Sequence, residues 1–279
     1  MIDGEAMELR DKQGNEQNQD QEQMPESNIS LFVKVGIIVL SIIMIIGFGI
    51  KILPEAVTVS NIATRRDLPI YCVNTEEKKV ALSFDTAWGD EDIQQILDIL
   101  GKYKLKASFF MTGDWISKYP EAVKTIANAG HDLGNHSENH KHMTRLTKEQ
   151  CIEEIMTAHN KVKELTGIDM FLFRPPYGDY NNTVMESSRE CKYYTIQWDV
   201  DSMDWKDYGV DSILNKVVDS KHLSNGSIVL MHNGTKYTTE ALEAVIVGLQ
   251  DQGYEIVPVS ELIYKGQFTV DKTGRQFEK

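Results

Sequence analysis

The sequence predicts an α/β fold: a distorted barrel of the (β/α)7 type, preceded by one transmembrane helix. Three observations carry this. Beyond residue 69, short apolar runs of strand length alternate with amphipathic segments of helix length, the signature of βαβ units around a parallel sheet. About seven such units fit the chain, slightly fewer than the eight of a full barrel. Ahead of them stands one long Ile-rich run, residues 31–53, with only Lys34 and Lys51 interrupting it.

Residues 1–30 come first. They are rich in Gln, Asn, Glu and Asp, bury too little apolar surface to offset chain entropy, and are expected to be disordered. Residues 31–53 reach across a ~30 Å hydrocarbon core once the two lysines snorkel to its faces. No small-x-small cleavage site follows before Pro54, so the segment reads as an uncleaved single-pass anchor. Lys34 precedes the span and Lys51, Arg65 and Arg66 follow it, a bias that weakly favours an outside N-terminus.

Residues 54–77 form a linker and a first strand, Ile70 to Val73. The remaining strands are expected at Val80–Asp85, Ala107–Thr112, Asp132–Asn135, Phe171–Arg174, Tyr193–Trp198, Ser227–His232 and Tyr254–Val257. Helices are expected at Asp92–Lys102, Asp114–Ala129, Lys148–Leu165, Asn182–Arg189, Val210–Lys221 and Thr238–Gln252. Residues 264–279 read as a tail.

The chain of 279 residues carries a net charge of −13, which argues against nucleic acid as a partner because phosphate binding needs basic patches. The first 30 residues contribute −6 of it, leaving a mildly acidic body at −7. Cys72, Cys151 and Cys191 are far apart with no C-x-x-C spacing, so neither a disulfide framework nor a zinc ribbon is indicated. Small buried side chains are the expected role for all three.

The chemistry gathers at expected strand ends. Gly134-Asn135-His136-Ser137-Glu138-Asn139-His140 sets two imidazoles four residues apart, in a helix-like or turn-like repeat. Neutral imidazole is a common metal ligand, and such a pair can bind one divalent ion from one side. Four of the seven histidines fall between His131 and His142, which favours a metal role over a solvated loop.

Val80-Ala81-Leu82-Ser83-Phe84-Asp85 drives an apolar strand into a carboxylate, which can be a ligand or a general base. Asp90 is the better helix cap, since Ile93 begins the helical repeat. Phe173-Arg174-Pro175-Pro176-Tyr177-Gly178 is a rigid loop whose Arg can fork onto a carboxylate. Asp199-Val200-Asp201-Ser202-Met203-Asp204-Trp205 sets three carboxylates beside an indole, which serves as a groove wall or an ordinary half-buried Trp. Ile228-Val229-Leu230-Met231-His232 ends another strand on a histidine.

The set and order FD, H-S-x-x-H, R-P-P-Y-G, D-S-x-D-W and L-x-H resembles the five-motif signature of the polysaccharide deacetylases with a NodB-like homology domain, carbohydrate esterase family 4. The resemblance covers residues 78–263, the expected catalytic domain, and four of the five motifs match without a gap. The run Ser83-Phe84-Asp85-Thr86-Ala87-Trp88-Gly89, with the membrane segment, is most similar to the sporulation-associated branch of Gram-positive bacteria.

The resemblance implies a divalent metal, usually zinc, held by His136 and His140. It implies Asp85 as catalytic base, His232 as general acid, Arg174 orienting Asp85, and Asp201 holding His232. The Tyr177 backbone N–H stabilises the oxyanion, and Tyr177, Trp205 and Leu230 line the substrate groove. The implied reaction removes N-acetyl groups from a cell-wall glycan such as peptidoglycan, on N-acetylglucosamine or muramic residues. That substrate places the barrel outside the membrane, against the weak charge bias.

One position departs from the pattern. The family's first motif has two adjacent aspartates, the second being the third metal ligand, and Thr86 stands there. Asp90, Asp92 or another carboxylate fills the place, or water does, or metal-dependent activity has been lost. Two further readings remain open: a non-catalytic glycan-binding or scaffold protein, and an O-acetyl esterase using the same residues. The sequence leaves the oligomeric state undetermined.

Overall fold

The computed structural model describes residues 33–40 and 67–279. Residues 33–40 are helical and exposed. Among the described residues no helix is long and apolar enough to cross a membrane, and the anchor expected at 31–53 lies largely outside them, as does the tail at 1–30. Residues 66–279 form a unit of their own.

Its strands are β1 (Cys72–Val73), β2 (Lys79–Thr86), β3 (Ser108–Met111), β4 (Asp132–Asn135), β5 (Leu172–Phe173), β6 (Tyr194–Thr195), β7 (Val200–Asp201), β8 (Ile228–His232), β9 (Glu255–Val257), β10 (Phe268–Val270) and β11 (Arg275–Glu278). The helices are α1 (Ile93–Lys102), α2 (Gly113–Lys118), α3 (Pro120–Asn128), α4 (Lys148–Thr166), α5 (Asn182–Glu190), α6 (Val210–Val217), α7 (Thr238–Asp251) and α8 (Val259–Leu262).

The main sheet runs β6-β5-β4-β3-β2-β8-β7, with β9 added beside β2. All of its pairings are parallel. β2 pairs with β3 over Ser83–Thr86 and with β9 over Lys79–Ala81, so one strand edge serves two neighbours in succession. β2 is accordingly buried from Val80 to Thr86 and is mostly apolar up to Phe84, as strands covered on both faces are.

The edge strands β6 and β7 do not pair with each other, and the barrel stays incompletely closed. The segment ahead of β2 spans part of the gap: Ile70 bridges Ile196, and Cys72 bridges Ser227. A curled parallel half-barrel thus replaces the expected ring. β5, β6 and β7 hold two residues each, too few to close one.

Two expectations change here. The single helix expected at Asp114–Ala129 is two, α2 and α3, parted at Tyr119 (φ −128°, ψ 54°). Pro120 has no N–H to donate and disfavours α conformation in the residue before it, so one helix ends there and Pro120 becomes the first residue of the next. The segment read as a tail, 264–279, forms the antiparallel pair β10–β11, and β11 lies parallel to β1 in a small separate sheet. The run Arg275-Gln276-Phe277-Glu278 lacks β-forming composition and becomes a strand through a partner about 200 positions away.

The main core lies between the sheet and its helices. Phe84 and Phe109 stack there at 5.1 Å, and Ile96, Trp115, Ile126, Ile155 and Leu242 close around them, all almost fully buried. Rigid packing of this kind holds the C-terminal strand ends in fixed register.

Candidate functional site

In a parallel α/β sheet the strand ends and the loops that follow them form one rim, where chemistry collects. Asp85 and His232 are paired positions of neighbouring strands β2 and β8. His136 follows β4 and Arg174 follows β5, and the His136 N–H is fixed on the Met111 carbonyl at the end of β3. A groove of about 780 Å³ opens at this rim, lined by Asp85, His136, His140, Tyr177, Leu230 and His232 among others.

Asp85 is buried and ion-paired to Arg174, whose Nη1 donates to Asp85 Oδ1 at 2.6 Å. Arg174 is itself fully buried and held by the Ser83 hydroxyl at 2.9 Å and the Gln197 carbonyl at 3.2 Å. Burial works against the Asp85 carboxylate, but the Arg174 charge, with His136 and His232, outweighs it and holds the pKa below the usual value. At neutral pH Asp85 is an anion with Oδ2 turned toward His136 Nε2 at 3.4 Å. Arg174 thus contacts Asp85 directly.

His136 and His140 converge without a helix. After β4 the chain turns through Ser137 (φ 66°) and His140 (φ 52°), both left-handed, so the turn-like form of the repeat is the real one. The His136 Nδ1 lies 2.7 Å from the Arg174 carbonyl, an acceptor only, so Nδ1 carries the proton and Nε2 presents a lone pair. That nitrogen faces His140 Nε2 at 3.2 Å. Burial lowers both imidazole pKa values, that of His140 to about 4, aided by its neighbour His136. Both rings are neutral at pH 7.

Two neutral nitrogens at this separation fit adjacent ligands of one tetrahedral ion, whose N···N spacing is about 3.3 Å for zinc–nitrogen bonds of ordinary length. Among the described residues no three His, Cys, Asp or Glu side chains gather as a metal-binding group. Thr86 is fully buried, its hydroxyl lies 3.5 Å from the Phe84 carbonyl, and it does not line the groove. Asp92, a candidate replacement, is committed elsewhere: its carboxylate accepts from Gly234 N at 2.7 Å and from Asn233 Nδ2 at 3.3 Å. It is also the residue preceding α1, the cap place expected of Asp90, though its side chain makes no capping bond.

The histidine cluster is looser than the sequence suggests. His131 Nδ1 accepts from the Ala107 N–H and its ring packs edge-on against Phe109 in the core. His142 stacks on the Tyr177 ring at 4.2 Å, while His140 meets that ring at 4.5 Å. Tyr177 (φ 61°) is thus clamped at the groove mouth while remaining 60% exposed.

The expected partner of His232 needs correction. Asp201 instead accepts from Trp198 Nε1 at 3.2 Å and from Met203 N at 2.9 Å. The carboxylate on His232 is that of Asp204, almost fully buried: Oδ1 contacts Nδ1 at 2.8 Å, and Oδ2 takes the His232 N–H at 2.7 Å and the Thr238 hydroxyl at 2.7 Å. The sequence holds three aspartates within six positions, and only the turn through Met203 (φ 53°) selects the third. Burial pushes the His232 pKa down, but the hydrogen bond and charge of Asp204, then Asp85 and Asp201, raise it above the usual value. A second face of the ring is covered by Trp88, stacked at 5.6 Å, a residue the sequence reading left without a role.

The geometry thus pairs an ionised carboxylate with an imidazole whose proton affinity Asp204 raises, across one groove beside the Nε2 atoms of His136 and His140. Such a set suits hydrolysis of a carbonyl compound with a poor leaving group. The polysaccharide deacetylase family model matches residues 73–196. A peptidoglycan-N-acetylglucosamine deacetylase of Bacillus cereus is 37% identical over 68% of this chain and 91% of its own length. The chain belongs to the polysaccharide deacetylase family.

Among other relatives, the uncharacterized protein YlxY of Bacillus subtilis is 35% identical over 70% of the chain, a match that spans only 60% of YlxY. BA3943 of Bacillus anthracis, named a CE4 family pseudoenzyme, superposes with a TM-score of 0.67 at 34% identity, covering 70% of this chain and 68% of that one. A mutant of it is described as having restored enzymatic activity. The curled half-barrel is therefore the family's fold.

The Asp204 assignment has a measurable consequence. If His232 is the general acid, it acts only while protonated, so activity falls as pH rises through its pKa. Removing the Asp204 charge lowers that pKa. Asp204→Asn is expected to move the basic limb of the kcat/KM profile to lower pH and to reduce its plateau by about a hundredfold. Asp201→Asn should leave the limb nearly in place, and equal shifts in the two variants would refute the assignment.

Proposed function

We propose that this protein removes N-acetyl groups from amino sugars of a cell-wall glycan, N-acetylglucosamine or muramic units of peptidoglycan. The observation that carries this is the pairing of Asp85, ion-paired to Arg174, with His232, bonded to Asp204, on adjacent strand ends facing one groove. A divalent ion on His136 and His140 would polarise the carbonyl and acidify a water to a pKa near ~7. Zinc suits this nitrogen pair.

The chain's own residues perform the remaining steps. Asp85 Oδ2 takes a proton from the attacking water, and the Tyr177 backbone N–H meets the charge that develops on the carbonyl oxygen. His232 donates a proton to the departing amine, the C–N bond breaks, and acetate and a free amino sugar result. Trp205 and Leu230, both lining the groove, hold the sugar.

A second reading has its own support. Thr86 supplies no donor, and BA3943 is named a pseudoenzyme, so the same groove serves equally for non-catalytic glycan binding or scaffolding. Acetate release from acetylated chito-oligosaccharides and from peptidoglycan fragments separates the readings. Release with added zinc or cobalt that a chelator abolishes is expected. No release from any acetylated glycan by the folded protein leaves the binding role, and preferential release from O-acetylated substrates would make it an esterase.

The run Ser83–Gly89 supports placing the protein in the sporulation-associated branch of the family. The apolar segment 31–53 supports single-pass anchoring, with the catalytic unit on the outer face where peptidoglycan lies. A C-terminal reporter that works only in the cytoplasm tests this: a signal from it would reverse the orientation.

A further inference from the structure

An aromatic surface continues past the groove. Trp205, which lines the groove, is 48% exposed, and Tyr208, outside it, is 69% exposed. The Lys206 ammonium ties them into one patch, 4.8 Å above the Trp205 ring and 6.0 Å from that of Tyr208. Large exposed aromatics on one short segment are costly to leave in water and mark contact surfaces.

The segment is built as a rigid shelf. Met203 (φ 53°) and Asp207 (φ 54°) both take left-handed conformations that non-glycine residues adopt only when their surroundings enforce them. Asp204, which holds His232, also accepts the Trp205 N–H at 2.9 Å, and Asp207 accepts the Lys236 N–H at 3.3 Å. The shelf is therefore fixed to the same carboxylate that orients the general acid. Among the described residues Lys206 has no carboxylate partner.

We propose that Trp205, Lys206 and Tyr208 form a second saccharide subsite, for the sugar next to the one whose acetamide reacts, and that this sugar bears a carboxylate. The proposal rests on the glycan reading of the groove, whose wall the shelf extends through Trp205. Pyranose rings place their C–H faces on aromatic rings, which Tyr208 offers at the open end. A carboxylate on the same sugar, as on a muramic unit, completes an ion pair with Lys206. A neutral N-acetylglucosamine unit uses the stacking surface alone.

The test is direct binding by calorimetry to the full chain, without turnover. Two ligands are compared: a neutral N-acetylglucosamine tetramer, and a tetrasaccharide alternating N-acetylglucosamine with N-acetylmuramic acid. Tyr208→Ala is expected to weaken both about fivefold, and Tyr208→Phe to restore both. Lys206→Met is expected to weaken only the muramic ligand, and added salt to do the same to the wild type.

Unchanged affinities in Tyr208→Ala, or no tetramer binding by the wild type, would overturn the subsite. Equal losses for both ligands in Lys206→Met would overturn the carboxylate. Both side chains are exposed, and an unchanged melting temperature in each variant checks that the fold is intact. Failure of the deacetylase reading is told apart by acetate release: a chain that binds with this dependence yet releases nothing keeps the subsite and loses the activity.

Discussion

Asp85→Asn is expected to lower kcat/KM about a thousandfold, the loss associated with removing a positioned general base. The size of the effect follows from where the carboxylate sits. Asp85 is buried and paired with Arg174, and its second oxygen is turned toward His136. Asparagine keeps the shape but takes no proton at neutral pH. It also leaves the fully buried Arg174 guanidinium without its counter-ion.

An uncompensated buried charge costs several kcal/mol, so the variant is expected to melt lower as well as turn over more slowly. Asp85→Asn combined with Arg174→Met separates the two: removing the orphaned charge restores much of the stability and none of the activity. Recovery of turnover in the double variant would show that Asp85 is not the base. Initial rates of acetate release and thermal melts are the measurements.

Thr86→Asp is expected to act in the opposite direction on function while making the empty protein less stable. Position 86 ends β2 and is fully buried, so a carboxylate there has lost its water. Unless a partner neutralises it, the cost is several kcal/mol. If it reaches the ion that His136 and His140 are placed to bind, as the family pattern implies, the ion becomes that partner. The melting temperature of Thr86→Asp then drops without zinc and rises steeply with it, because a ligand that binds only the folded state stabilises by mass action.

Zinc affinity measured by competition with a chromophoric chelator should rise at least about tenfold over the wild type, and acetate release should rise with it. A variant that melts low with and without zinc would show that residue 86 does not point to the metal site. A wild type already saturated at nanomolar zinc would show that the two histidines need no third protein ligand.

The barrel's alternation was plain in the residues because a strand buried on both faces is predominantly apolar, as Val80–Phe84, with Ser83 its one polar residue, and Ile228–Met231 are. The helices α1, α4, α5 and α7 were equally plain, each with its apolar face repeating at helical spacing. The break at Tyr119 is encoded by Pro120 alone. What stayed hidden were elements made by long-range pairing. β11 is a strand because β1 lies beside it, and the half-barrel stays open because β6 and β7 find no direct partnership.

The site divides in the same way. The sequence by itself determined which chemical groups the rim holds: two histidines at H-x-x-x-H, a carboxylate and a histidine each at the end of an apolar strand, and an arginine before two prolines. It also fixed the one missing donor, since threonine at position 86 cannot become a carboxylate in any fold. Only the tertiary structure decided who touches whom. Asp204 rather than Asp201 holds His232, His131 belongs to the core rather than to the imidazole pair, and Trp88 covers the His232 ring. Those choices depend on backbone turns at Met203, Ser137 and His140, where a few tens of degrees redirect a side chain by several ångströms, and residue identity alone does not encode that direction.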